Sequence, residues 1–153
     1  MIKKLNKVSR EFMEVLDRNK VRGYALTLDF EGLDKKFTSN AKFSQADFNS
    51  SFIAIQLTMN EEAINLEEES IIIHANILKP NNKVITNVCE VLDEANGVIL
   101  LALKTQSLDT VGDYEFEIVV NIGSTRKLVS PLVTYKTYPS FESNVVEISE
   151  DEV

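Results

Sequence analysis

Residues 77–103 read ILKPNNKVITNVCEVLDEANGVILLAL, and their reading decides the fold. The stretch holds two apolar runs, one starting at Val84 and one at Val98. Each follows a turn: Pro80-Asn81-Asn82 before the first, Asn96-Gly97 before the second. Asn-Gly readily takes the positive φ that a hairpin turn requires. Strands hung between turns are therefore expected over Val84–Leu92 and Val98–Lys104, with a third over Ile71–Leu78.

Outward from there the apolar residues recur at every second position. Tyr24, Leu26, Leu28 and Phe30 alternate with Ala25, Thr27 and Asp29. Ile53, Ile55, Leu57 and Met59 alternate with Ala54, Gln56 and Thr58. Tyr114, Phe116, Ile118, Val120 and Ile122 oppose Glu115, Glu117 and Asn121. A period of two is the mark of a strand with one buried face. A weaker strand is expected over Phe37–Phe43 and a closing one over Leu128–Tyr138. Pro131 lacks a ladder donor, so that last strand is expected at an edge or with a bulge. The sum is seven or eight strands, with turns at roughly the 8–12 residue spacing of a sandwich. No helix-length segment separates them, which argues against a parallel βαβ sheet.

Only the first twenty residues depart from this period. Leu5, Val8, Phe12, Val15 and Leu16 make one apolar stripe on a helix, with Lys3, Lys4, Arg10 and Glu11 left for the other face. Such a stripe either docks a partner or packs on the domain's own sheet. The division expected is an N-terminal helix at 1–20, a sandwich at 21–138 and an acidic tail or start of a linker at 139–153.

The 153 residues suffice for one domain with a real core, and 44% hydrophobic with 26% charged residues is globular composition. The net charge of −8 repels phosphate backbones, so nucleic acid is not an expected partner. Residues 1–20 carry six basic and three acidic side chains, a local +3, so the rest carries −11. No run reaches transmembrane length and no signal-peptide core opens the chain, so synthesis in the cytoplasm and no membrane partner are expected.

Reactive groups are sparse. The single cysteine, Cys89, lies in an apolar run and reads as a buried, inert thiol. The single histidine, His74, reads as a surface or edge residue without partners at ligand or triad spacing. The acids around Ile64–Leu66 lack the spacing and glycine of a calcium loop and read as solvated. No catalytic residue, cofactor site or metal site is expected, and the chain reads as a non-enzymatic binding or assembly module. One alternative is a carbohydrate-binding module reading host cell-wall glycans. It requires an exposed aromatic patch around Tyr135 and Tyr138, in a chain with no tryptophan. Tyr114 reads as core.

The order of elements carries a resemblance. FSQADFNSSFIAIQLTMN (43–60) places Gln45, Asp47 and Asn49 in a loop before an alternating strand. AINLEEESIIIHANILKPNNKVI (63–85) sets a short element before a strand that ends in a Lys-Pro turn. VCEVLDEANGVILLAL (88–103), SLDTVGDYEFEIVV (107–120), with its Leu-x-x-x-Gly-x-Tyr-x-x-x-Ile step, and LVSPLVTYKTY (128–138) follow. Over about residues 40–138 this order resembles the N-terminal domain of the phage baseplate upper protein family, from siphophages and prophages of Gram-positive bacteria. The resemblance implies an immunoglobulin-like antiparallel β-sandwich with a structural role. It implies docking to the distal tail protein of the baseplate hub, with downstream regions holding the receptor-binding protein. A virion tail baseplate location, synthesis in the host bacterial cytoplasm and a homo-oligomer are the matching expectations. Leu5, Val8, Phe12, Val15 and Leu16 are the expected partner-docking residues.

Overall fold

In the strand over residues 112–122, Tyr114, Phe116, Ile118 and Val120 all turn inward and are fully buried, or very nearly so. Alternation thus does what the sequence asks of it. The computed structural model describes residues 20–68 and 70–147. Its strands are β1 (Arg22–Asp29), β2 (Phe37–Ser44), β3 (Ser51–Met59), β4 (Glu62–Ala63), β5 (Ile71–Leu78) and β6 (Val84–Val88). They continue with β7 (Glu90–Asp93), β8 (Val98–Ala102), β9 (Gly112–Ile122), β10 (Arg126–Val129) and β11 (Val133–Tyr138). The first sheet runs β1-β3-β8-β7, with β4 added to β3. The second runs β2-β11-β9-β5-β6, with β10 added to β9.

The core lies between the sheets. Leu28, Ile53, Ile55, Leu57, Ile99 and Leu101 of the first face Phe43, Ile73, Ile77, Phe116 and Ile118 of the second. A line of rings crosses it. Tyr24 meets Phe43 edge-on at 5.3 Å, Phe43 meets Tyr135 at 5.7 Å, and Tyr135 stacks on Tyr114 at 4.7 Å. Ring pairs at these distances add about 0.5–1.5 kcal/mol each beyond their burial. Both buried phenols are paired. The Tyr135 hydroxyl donates to the Ser107 carbonyl at 2.7 Å, and the Thr110 N–H donates to the Tyr114 oxygen at 2.9 Å.

Several expectations need correction. The expected antiparallel, immunoglobulin-like arrangement is not supported, because both sheets are mixed. β1 pairs with β3 in parallel, and β2 pairs with β11 in parallel. The reason is the path: the chain leaves β1 for the second sheet as β2 and returns to the first as β3, and two reversals restore the original direction. The strand expected over Val84–Leu92 is two strands in different sheets. It breaks at Cys89, whose N–H donates to the Ile73 carbonyl at 2.9 Å while the chain changes sheets. The strand expected over Leu128–Tyr138 also splits, at Ser130-Pro131. The Ser130 hydroxyl accepts the Ile118 N–H at 2.8 Å and donates to the Pro131 carbonyl at 2.8 Å, supporting the break. β11 lies between β2 and β9 and not at an edge, although its register against β2 shifts between Thr134 and Lys136, as a bulge would. The helix expected at 1–20 falls, apart from Lys20, outside the described residues.

Candidate docking surface

β5 opens with three isoleucines, and a strand must turn at least one of them outward. Ile73 faces the core and Ile72 is 62% exposed. The other outward residues of β5 are His74, Asn76 and Leu78, and the register extends each into a row across the second sheet. His74 lies opposite Val88 of β6 and Val119 of β9, and Val119 lies opposite Val129 of β10. Leu78 lies opposite Val84. Val88 and Val84 are 75% and 65% exposed, and both sit on β6, the edge of the sheet. The outer face therefore presents Ile72, Val84, Val88 and Val129 to solvent. β-branched side chains lose little freedom when covered, which suits such a face to protein contact.

A polar row divides the apolar ones. Thr86 donates to Asn76 Oδ1 at 2.9 Å, and Asn76 Nδ2 donates to Glu117 at 3.0 Å. The Asn121 amide lies 3.3 Å from His74 Nδ1 and donates to it in the neutral imidazole whose proton is on Nε2. Toward β2 the face becomes charged. Lys36 pairs with Glu115, and a cleft of about 470 Å³ opens between them, Leu78 and Pro80. Lys79 at its rim is nearly buried and pairs with Asp109 at 2.7 Å. Such a mixture fixes orientation through its polar groups and contributes contact area through its aliphatics.

Groups with reactive potential have structural employment. Burial pushes the Cys89 thiol up to about 12, so it stays protonated at neutral pH. His74 has valines and an asparagine as sheet neighbours, not a carboxylate. Among the described residues no group of three His, Cys, Asp or Glu side chains is placed to hold a metal ion. No described helix is long and apolar enough to cross a membrane. Tyr135 is core, not surface, which removes half of the aromatic patch a glycan platform would need. Tyr138 is 43% exposed and already carries the Lys136 ammonium 5.3 Å from its ring centre.

The Gln45–Asn49 loop is a staple. Asp47 accepts from Arg22 Nε at 2.7 Å, from the Ser51 hydroxyl at 2.9 Å and from the Ser44 N–H at 3.3 Å. Desolvation raises its carboxyl, but these donors outweigh it and the net shift is downward. Gln45 donates to the Asp109 carbonyl at 2.8 Å and accepts from the Ser140 N–H at 3.3 Å, tying the last segment to the sandwich. Asn49 takes φ of 55° where the loop turns into β3.

The stripe Leu5, Val8, Phe12, Val15 and Leu16 lies outside the described residues. The exposed aliphatics of the second sheet were missed from the sequence. The signals were present: three isoleucines in one strand, and Val84-x-x-x-Val88 on a strand bounded by turns.

A family model described as "BppU N-terminal domain" matches residues 22–153. No curated protein matches the sequence. Among solved structures, the "N-terminal domain of phage TP901-1 ORF48" is similar, with a TM-score of 0.60 and 18% identity. The alignment covers 75% of this chain and 98% of that one. An identity that low speaks for a shared fold alone.

Proposed function

The chain belongs to the baseplate upper protein N-terminal domain family, and from that premise we propose that it docks to the distal tail hub of a phage baseplate and helps present receptor-binding proteins. Its membership makes it a structural component of the virion tail baseplate. The finer reading rests on one observation, the exposed aliphatic face of β5, β6, β9 and β10. Docking works there by covering Ile72, Val84, Val88 and Val129, each offering about 1–2 kcal/mol if fully dehydrated. No bond is made or broken in this role. Specificity comes from the polar row, because Thr86, Asn76 and Glu117 lose water on contact and must find donors and acceptors in the partner.

Mixing the chain with the distal tail protein of its own phage and measuring mass by light scattering tests this. We expect a defined complex, lost in Ile72→Asp/Val88→Asp with the thermal midpoint kept. A complex that survives both changes would move the interface elsewhere. A chain that ignores the hub but binds cell-wall glycans would replace the proposal with the carbohydrate-binding reading.

A further inference from the structure

β6 is five residues long and forms an edge of the second sheet, with β5 as its neighbour on one side. The ends of the β5–β6 ladder fix which backbone groups are used. The Lys79 N–H donates to the Lys83 carbonyl at 2.9 Å, and the Cys89 N–H donates to the Ile73 carbonyl at 2.9 Å. In an antiparallel pair alternate residues bond to the same neighbour. Lys83, Ile85, Asn87 and Cys89 therefore bond toward β5. Val84, Thr86 and Val88 aim their N–H and C=O groups off the open edge, and all three are exposed. Sheet edges are ordinarily blunted by charge, proline, a bulge or a cover. β7 has two acids, Glu90 and Asp93, and a register shift. β2 has the Tyr24 hydroxyl on its Lys42 carbonyl at 3.0 Å. β6 reads Val-Ile-Thr-Asn-Val and carries no charge, proline or bulge.

We propose that β6 pairs with β6 of a second copy of this chain, antiparallel about a two-fold axis at Thr86, so that the two second sheets join into one. The pattern of the edge carries the choice of occupant. A two-fold contact is isologous, so the edge must be complementary to its own reversal. The outward positions read Val84, Thr86 and Val88, the same in both directions. Pairing about Thr86 sets Val84 against Val88 of the second copy, Thr86 against Thr86, and Val88 against Val84. Each opposed pair exchanges two backbone hydrogen bonds, and Thr–Thr is a favourable cross-strand pair. The flanks agree in charge. Lys83 precedes the strand and Glu90 follows it, both exposed. The same pairing brings each Lys83 to the end where Glu90 of the other copy lies, which favours this orientation.

Five strand residues span about 17 Å, and a contact that short buries less than the ~1,200 Å² of a standard interface. Pairing is therefore weak and depends on concentration. A dilute chain keeps its edge free. Copies gathered on one assembly reach the effective concentration, about millimolar, at which the edge closes. This inference goes beyond the hub proposal and does not rest on it. It uses the backbone edge of β6, whereas the hub reading uses the side chains of the face.

Light scattering on the full-length chain alone, from about 10 μM to about 1 mM, tests the pairing. We expect monomer at the low end and dimer, with no larger species, at the high end. Thr86→Pro removes an N–H that β5 does not use, and Val84→Lys sets a charge on the edge. Each is expected to weaken the dimer about tenfold or more, with the strand signal in circular dichroism retained. Mixtures test the register. Equimolar Val84→Lys and Val88→Glu chains are expected to dimerise more tightly than either variant alone, because their charges stand opposite. Equimolar Val84→Lys and Val84→Glu chains are expected to gain nothing, because those positions stand at opposite ends of the pair. A monomer at every concentration would overturn the proposal. So would a dimer that Thr86→Pro and Val84→Lys leave unchanged, or association that runs on beyond two copies. Equal behaviour of the two mixtures would overturn the pairing about Thr86.

Discussion

Asp47 shows how a single carboxylate organises this domain. It receives Arg22 from the start of β1, Ser51 from the start of β3 and the Ser44 N–H from the end of β2. Its folded pKa lies below the ordinary aspartate value of 3.8, despite the desolvation that pushes the other way. A lowered carboxylate stabilises the fold fully above its unfolded pKa, and that contribution is lost as pH falls through the folded one. Asp47→Asn should therefore cost about 1 kcal/mol near neutrality and make the acid side of the stability–pH curve shallower. Arg22 is half exposed, so the ion pair itself supplies little of this. Asp29, also lowered, keeps part of the acid dependence in the variant. Urea midpoints from pH 7 down to pH 3 check both statements. At Cys89 the shift runs upward, so thiol reagents should label the native protein only as it unfolds. Alkaline pH above the unfolded value of 9.0 should lower stability, because the unfolded thiol ionises first. The sequence placed Gln45, Asp47 and Asn49 in a loop, but not their work. The partners Arg22 and Asp109 are 25 and 64 positions away, beyond any local pattern.

At the scale of elements, the turns were the most legible part. Gly97 does take positive φ, at 67°, as Asn-Gly promised. The sequence did not show how tightly that turn is packed. A Cβ there would stand 2.5 Å from the Ile64 carbonyl oxygen and 2.8 Å from that of Leu57. Gly97→Ala should then lose more than ~2 kcal/mol, the sum of a left-handed alanine and a backbone clash. Gly32→Ala meets nothing within 4 Å and is the control, expected within about 0.5 kcal/mol of the parent. Thermal or urea unfolding of the pair separates turn packing from glycine loss in general. The strands over 84–92 and 128–138 read as single runs because apolar residues continue through Cys89 and around Pro131. What divides them is a change of sheet in one case and, in the other, a serine hydroxyl that takes the place of a backbone acceptor. Neither leaves a mark in periodicity. β6 illustrates the same limit. Val84, Thr86 and Val88 alternate with Ile85 and Asn87, and only the neighbouring strand decides which set meets solvent.

For the whole molecule, alternation was enough to establish two packed sheets, and it was silent on how they are wired. Parallel pairing of β1 with β3 and of β2 with β11 joins segments about 30 and 95 positions apart, and nothing in either strand's composition encodes direction. The order of strands and turns nevertheless carried the family, which the match over residues 22–153 bears out. The resulting division of labour is simple. The interface between the sheets is core, and the outer side of the second sheet is partly apolar, with Ile72, Val84, Val88 and Val129 exposed. A baseplate component needs a surface that stays soluble alone and becomes dry on assembly, and the valine row with its polar divider has that character. The most direct test is amide hydrogen exchange on the chain with and without the distal tail protein. The account predicts slowed exchange along the free edge of β6, Val84–Val88, with β1 and β7 unchanged. Slowed exchange confined to β1 or β7, or none anywhere in a verified complex, would contradict it.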